Sequence, residues 1–365
     1  MIPFNKPYMT GKEAHYMYQA VFNGHISGNG ALTKKCQSYF RERWGFKHCL
    51  LTTSCTDALE MAAMLADIKP GDEVIVPSYT FVSTAIAFVR QGAKIVFADS
   101  HPDHPGIDEA SIEHLVTPRT KAIVPVHYAG VACDMDVIMD IAARHNLIVI
   151  EDAAQAVDSY YKGRPLGSIG HIGCFSFHET KNIQCGEGGM LCVNDERFAK
   201  RAEVLWEKGT NRAEFFRGEV NKYGWVDIGS SFLPADYVAG FLLAQLEHLD
   251  EIQARRRTIW EVYHQHFSHH ADYGQKMPHV PSFATNNGHM FYMVFPNIEK
   301  RSDFIAHYKA QQVNPVFHYL SLHKSPYYAD KYTGPELPNA DRYSDCLVRM
   351  PLFYELNVDD VIAVK

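Results

Sequence analysis

Three groups of residues in this chain of 365 have the types and the placement to do chemistry together. The first is Lys181 in "FSFHETKN", a lysine set among a serine, a histidine and an aromatic pair. Surface lysines usually sit among charges and turn residues, whereas this one follows a stretch that reads as buried strand. The second is the pair Glu151 and Asp152 in "LIVIEDAAQA". It puts at least one carboxylate at the carboxyl end of a central strand, where open α/β sheets place ligands. A plain cap on a following helix is the competing reading of the aspartate. The third is "LLTTSCTDALEM", where a strand ends near Thr52 and a helix opens with Ser54, Cys55, Thr56 and Asp57. Free N–H groups, hydroxyls and the positive end of a helix dipole would meet there as a phosphate cradle. An ordinary Ser/Thr cap would leave the same trace in the sequence.

Together the three point to one cofactor, pyridoxal 5'-phosphate. It needs an anchored phosphate, a carboxylate that keeps its ring nitrogen protonated, and an amine for a Schiff base. The turn "YYKGRPLGSIG" and the run "HIGCFSF" separate Asp152 from Lys181. That is enough chain for a hairpin or crossover to set the two on opposite sides of one ring.

The elements that must position these groups are legible as alternation. Between about residues 45 and 200, the apolar runs "HCLLTT", "EVIVP", "KIVFAD", "AIVPVH", "LIVIED", "GCFSF" and "GMLCV" are spaced by turns and helical patterns such as "TDALEMAAMLADI". This is the pattern of βα units on a largely parallel sheet. A polar loop covers about 209 to 234, and a long helical pattern runs from Ala235 to about Phe267. The runs "FYMVF" and "PVFHY", with the helix "RSDFIAHYKAQQ" between them, suggest a smaller α+β domain.

Composition sets the outer bounds. With 46% hydrophobic residues the chain can bury a large core, and a net charge of −7 with a pI near 6.3 argues against a nucleic-acid partner. The first twenty residues lack a charged and then apolar leader, and no run is long enough to span a bilayer, so a cytoplasmic protein with no membrane partner is expected. The 8 cysteines show no paired metal spacing and are expected to be reduced, buried thiols with no metal site.

The stretches "PGDEVIVPSYTFVSTA", "EDAAQA" and "GCFSFHETKN", with "GEGGM" after the last, resemble the DegT/DnrJ/EryC1/StrS sugar aminotransferases over nearly the whole chain. The resemblance implies an aspartate aminotransferase-like, fold type I, pyridoxal-phosphate-dependent enzyme. It has a large, mostly parallel mixed-sheet domain over 1–250, with an N-terminal segment, and a smaller α+β domain over 251–365. It also implies a homodimer with active sites at the interface, and transfer of an amino group from L-glutamate to a TDP-linked keto-sugar.

Carried over by matching motif, Lys181 would be the Schiff-base lysine and proton carrier, Asp152 the partner of the ring nitrogen, and Gln155, one helical turn on, the partner of the ring hydroxyl. Phe81 would stack on the ring unless it is an ordinary core aromatic. Cys55 and Thr56 through their amides, and Ser176 through its hydroxyl, would hold the phosphate. Many relatives have an asparagine that reaches the partner subunit's phosphate where this chain has Ser231, a shorter side chain with less hydrogen-bonding capacity. His178, His318, His323 and Arg212 are candidates for substrate contact, with His127 and Arg217 beside them. For each of these a packed or solvated side chain is the alternative.

Three rival readings fare worse. A related sugar dehydratase has histidine in place of the lysine. A non-catalytic regulator of the same fold would lack the lysine or the aspartate. A nicotinamide dehydrogenase would carry a glycine fingerprint that is missing here.

Overall fold

A computed structural model describes residues 1–364. The seven apolar runs form one seven-stranded sheet: β1 His48–Thr52, β2 Glu73–Pro77, β3 Lys94–Ala98, β4 Thr120–Ile123, β5 Ile148–Asp152, β8 Ile172–Ser176 and β9 Gly189–Val193. A short hairpin, β6 Tyr160–Tyr161 and β7 Arg164–Pro165, stands apart from it. The strand order is β1-β9-β8-β5-β4-β2-β3. β9 runs antiparallel to both neighbours, and every other pairing is parallel.

Both faces of the sheet are covered, so its strands are apolar almost throughout. Side-chain alternation still sorts them into two layers. Ile150, Cys174, Leu191 and Val193 pack with helices α3 Cys55–Leu65, α4 Ser83–Val89 and α7 Glu196–Trp206. Val149, Phe175, Met190 and Cys192 pack with α2 Ala31–Trp44, α6 Met135–His145 and α9 Asp236–Glu247. Helix α1 Glu13–Phe22 lies against α9, and α5 Glu109–Leu115 beside α6. Several helix starts are fixed by side chains: Ser54 accepts from the Asp57 N–H at 3.0 Å to open α3, and Asp134 and Asp195 do the same for α6 and α7. Each such cap contributes about 1 kcal/mol.

The helical pattern from Ala235 is two helices, not one. It breaks at His248 into α9 and α10 Leu249–His269. No glycine or proline marks the break. It redirects the chain, since α10 starts in the second layer with Leu249 and Ile252 and ends in a third core with Ile259, Tyr263 and Phe267. That third core belongs to the small α+β unit. It holds a three-stranded antiparallel sheet, β10 Tyr292–Val294, β12 Leu347–Arg349 and β11 Val316–Phe317 in that order, with α11 Ile298–Ala310 and α13 Asp359–Ile362. Helix α12 Pro338–Cys346 turns Ala340 and Tyr343 into the first layer and so ties the small unit to the large sheet.

Two further details bear on the ends of the two units. Most of the N-terminal segment lies on the large unit, through α1 and α2, while its first residues reach the small one, where Ile2 pairs with Val313 and packs on the third core. The loop at 209–234 contains a short helix, α8 Arg212–Phe216, and is apolar at its tip: Trp225 is 84% and Phe216 69% exposed. All eight cysteines are buried free thiols. Among the described residues, no helix is long and apolar enough to cross a membrane.

Candidate active site

At the carboxyl ends of β5 and β8, between the two units, lies a cavity of about 820 Å³. Strand alternation decides which carboxylate faces it. Glu151 turns away into the protein, where it accepts from the Gly167 N–H at 2.8 Å, the Ile169 N–H at 2.7 Å and the His127 Nε2–H at 2.9 Å. Asp152 lines the cavity. It is 4% exposed and accepts from Thr84 Oγ1 at 2.7 Å and the Ala154 N–H at 3.1 Å. Among the described residues no cation pairs with it, and burial pushes its pKa above the usual carboxylate range. The residues after it form turns, not a helix, which removes the helix-cap reading and corrects the helical spacing expected for Gln155.

Gln155 is held by two neighbours. Its Oε1 accepts from the Ala129 N–H at 2.6 Å and its Nε2 donates to the Tyr319 hydroxyl at 3.1 Å.

Lys181 sits at the tip of the β8–β9 hairpin, beyond Ser176. The hairpin continues past the strand ends through Phe177 N–H to Gly188 O and Cys185 N–H to Phe177 O. The neighbouring Asn182 pins the tip: its Nδ2 donates to Gln253 Oε1 at 2.7 Å and to the Asn287 carbonyl at 2.9 Å, and its Oδ1 meets His289 Nδ1 at 2.8 Å. Lys181 itself is left uncommitted, and burial lowers its pKa from the ordinary lysine value. A positioned amine with a weakened hold on its proton is suited to covalent and acid–base work.

The start of α3 forms a third wall. Cys55 and Thr56 open the helix, and among the described residues their N–H groups find no acceptor in the chain. Thr56 Oγ1 meets Ser83 Oγ at 2.7 Å, and Ser176 lines the same region. Burial pushes the Cys55 thiol well up and so disfavours its thiolate. Gly189, paired with both Thr52 and Ser176, lies under this wall; a Cβ there would come within 2.4 Å of the Ser54 carbonyl group and 2.5 Å of the Cys55 nitrogen.

Phe81 is 55% exposed beside Tyr319 and borders the cavity, so it is not a core aromatic. His178 and His318 line the cavity as well, and His318 Nδ1 meets the Tyr128 hydroxyl at 2.6 Å. His323 does not. It is buried elsewhere, with Nδ1 at 2.7 Å from Ser78 Oγ, and its position is that of a packing histidine. Arg212 and Ser231 also lie away from this cavity, on the exposed loop on either side of Glu207. Arg217 is already paired with Glu203 and Glu219. Thr84, Tyr319, Asn182, His289 and Arg349 also belong to the site, although their residue types and spacing did not mark them as candidates. Asn182 next to Lys181, Tyr319 next to His318 and Thr84 three residues after Phe81 stand beside named candidates, whereas His289 and Arg349 have no such neighbour.

The sequence model of the DegT/DnrJ/EryC1/StrS aminotransferase family matches residues 7–365. The chain belongs to that family. This aminotransferase is 35% identical over 374 aligned positions to the spore coat polysaccharide biosynthesis protein SpsC of Bacillus subtilis, covering 99% of this chain and 94% of that one. Among solved structures, the ketimine complex of S. venezuelae DesV superposes with a TM-score of 0.89 at 29% identity, covering 100% of this chain and 96% of that one. The pyridoxamine-phosphate (PMP) form of Spr1654 from Streptococcus pneumoniae, a sugar aminotransferase by description, gives 0.91 at 25%, covering 100% and 98%. The aminotransferase acts on sugars and uses pyridoxal 5'-phosphate. Its cavity suits that cofactor: the free N–H groups at the start of α3 match a phosphate, and the unpaired buried Asp152 matches a proton-bearing ring nitrogen.

The packing under the cradle can be tested. Gly189→Ala is expected to push back the start of α3 and raise the Kd of the cofactor about 10-fold or more, read by absorbance titration of the cofactor-free protein. An unchanged Kd would mean that the contact yields without cost.

Proposed function

We propose that this aminotransferase moves the amino group of L-glutamate to C4 of TDP-4-keto-6-deoxy-D-glucose, giving TDP-4-amino-4,6-dideoxy-D-galactose and 2-oxoglutarate. The observation that carries the amino transfer is the uncommitted Lys181 and the unpaired Asp152 on one cavity with the free start of α3. The choice of sugar rests on "VPVHYAGVACDMD", "GHIGCFSFHETKN", "EKGTNR" and "FFRGEVNKY", which resemble TDP-4-amino-4,6-dideoxygalactose transaminase. The likeness to SpsC supports a product bound for a surface polysaccharide, such as an enterobacterial common antigen or an O-antigen.

In this reading Cys55 and Thr56, through their N–H groups, and Ser176, through its hydroxyl, hold the phosphate, and Phe81 covers one ring face. Asp152 keeps a proton on the ring nitrogen, and Gln155 approaches the ring hydroxyl. When bound, the cofactor supplies a carbonyl for the amine and a ring that accepts the electrons left by a departing proton. Lys181 would take the proton from the donor Cα and deliver it to a second carbon, a 1,3-shift rather than a return to Cα, and this task needs a neutral amine in a dry site. Donor and acceptor use the same cavity in turn, so ping-pong kinetics follow.

The reading includes a homodimer. The apolar tip of the loop at 209–234 and the exposed Phe22 offer a surface for a second copy, and that loop carries Arg212 and Ser231. In the dimer these two would serve the partner's site, Arg212 toward the diphosphate.

The test is the proton NMR spectrum of the product from glutamate and TDP-4-keto-6-deoxyglucose. Small couplings at the sugar H4 are expected, from an axial amine. Large couplings would make this a gluco-forming enzyme, and absence of product would move the substrate to a 3-keto sugar.

A further inference from the structure

Asn182, the residue after Lys181, is the centre of a buried polar network that crosses from the large unit to the small one. Its Nδ2 donates to Gln253 Oε1 on α10 and to the Asn287 carbonyl, at 2.7 and 2.9 Å. Asn287 in turn donates through its own Nδ2 to the carbonyls of Gln155 and Val157, both at 2.9 Å, and its Oδ1 accepts the His289 N–H at 3.0 Å. Arg256 grips the same stretch of backbone through the carbonyls of Gly288 and His289, at 3.0 and 2.8 Å. All five side chains are buried, so the place of the His289 ring is set from several sides.

The network also decides where the hydrogens are. A carbonyl can only accept, so the bond to Asn287 fixes which end of the Asn182 amide is the NH2 group. Both of its hydrogens are used, and the end left facing His289 Nδ1, 2.8 Å away, is an oxygen. Nδ1 must then carry a hydrogen, and in a neutral ring that leaves Nε2 bare. The ring is neutral because burial, with Lys181, Arg256 and Arg349 around it, pushes its pKa well below the usual histidine value. His318, the other buried histidine on the cavity, has no such constraint: its Nδ1 meets the Tyr128 hydroxyl, which can give or take a hydrogen. His289 thus lines the cavity as a fixed acceptor, and among the described residues its Nε2 has no partner.

Lys181 borders the same cavity and is the charged group that bears most on His289. The other titratable groups around the lysine are Cys55 and Asp152 from the large unit and Arg349 from β12, whose guanidinium carbon lies 4.5 Å from the Phe4 ring. Once Lys181 has taken a proton it is an ammonium in a dry site, where an acceptor counts for most. We propose that His289 is the positioning residue for that ammonium: Asn182 holds its ring as the Nδ1–H tautomer, and the bare Nε2 takes a hydrogen bond from Lys181 Nζ between loss of the proton from one carbon and its delivery to the next. The proton stays on the lysine, because the amide oxygen at Nδ1 cannot take the one that a relay through the ring would expel. The inference rests on the reading of Lys181 as proton carrier.

Two variants separate the acceptor from the packing. His289→Asn keeps a donor at the place of Nδ1 and removes Nε2, whereas His289→Gln brings an amide oxygen near the place of Nε2. In the cofactor-free protein, the rate of pyridoxal 5'-phosphate uptake, followed by absorbance, should rise with pH as Lys181 loses its proton. An ammonium deprived of its acceptor gives up its proton more readily, so the midpoint in His289→Asn is expected about 1 pH unit below that of the wild type. In the cofactor-loaded protein mixed with glutamate alone, the maximal rate should fall about 10-fold or more and the half-saturating concentration should change less than about 3-fold. Glutamate deuterated at Cα should slow His289→Asn more than it slows the wild type, and His289→Gln should recover part of the rate and of the midpoint. Nitrogen NMR of protein labelled in its histidine rings should show one ring with its hydrogen on Nδ1 alone, in a signal absent from His289→Asn. An Nε2–H ring at His289 would overturn the proposal. So would an unshifted midpoint, or uptake and half-reaction slowed alike with the isotope effect unchanged, the behaviour of a histidine that only packs. Turnover retained by Lys181→Ala would overturn the reading of Lys181 and the use made of the contact, whereas the midpoint and the nitrogen spectrum would still decide whether the contact exists.

Discussion

Lys181→Ala is expected to lower kcat by about 10⁴-fold or more and to abolish the visible absorbance of the lysine-bound cofactor, while the protein stays folded. The size follows from the loss of both tasks proposed for Lys181, covalent attachment and proton transfer, since no other amine on the cavity is free: Arg256 is held by carbonyls, and arginine does not give up its proton. The fold is expected to survive because, among the described residues, the Lys181 side chain makes no hydrogen bond, its backbone N–H to the His178 carbonyl is kept in alanine, and Asn182 pins the hairpin tip.

The pH dependence of stability follows from the lowered pKa. The unfolded chain binds the lysine proton more tightly than the folded one, so the cost of the buried ammonium is greatest at low pH and fades as pH rises toward the ordinary lysine value. Cofactor-free Lys181→Ala should therefore melt no lower than the wild type at pH 7, and the two should converge at higher pH. Retained steady-state turnover would refute the role, and a much lower Tm would show that the lysine is structural.

Asp152→Asn is expected to reduce kcat about 10³-fold and, in the cofactor-free protein, to raise the Tm by about 2–4 °C. The two effects have one origin. Burial raises the pKa of this carboxyl, so the folded state binds its proton more tightly than the unfolded chain does. The resulting cost is absent below the unfolded pKa, grows as pH rises through the folded one, and is full above it. Asparagine removes that cost and can still meet Thr84 and Ala154. With cofactor bound the order should reverse, because a protonated ring nitrogen gives the carboxylate the partner it lacks. Melting curves with and without cofactor, beside steady-state rates, measure all of this. A lower Tm for the cofactor-free variant would mean that Thr84 and Ala154 already compensate the charge, and near-normal turnover would mean that another group protonates the ring.

The large sheet was legible because each of its strands is a run of β-branched and apolar residues bounded by turns, "LIVIED" being the clearest. What escaped is informative in physical terms. The break at His248 has no local signal because it serves two cores at once. The two-residue strands β6, β7 and β11 are too short to show a period. In the cavity, the choice between Glu151 and Asp152 needed strand alternation, and Arg349 needed the pairing of β12 with β10 and β11, which no window of sequence contains. His323 misled because "VFHYLSLH" carries two histidines five residues apart, and only His318 borders the cavity.

The pairing of Ile2 with Val313, and the cover that Phe4 gives Arg349, also constrain how the molecule is made. Synthesis on the ribosome releases Phe4 first and Arg349 more than three hundred residues later. The sheet can assemble while translation continues, because its strands all precede Asn194. The cavity cannot, since two of its walls meet only after residue 352 has emerged. A nascent chain thus carries the lysine and the aspartate with no enclosed site around them until residue 352 has emerged, and cofactor capture follows that point.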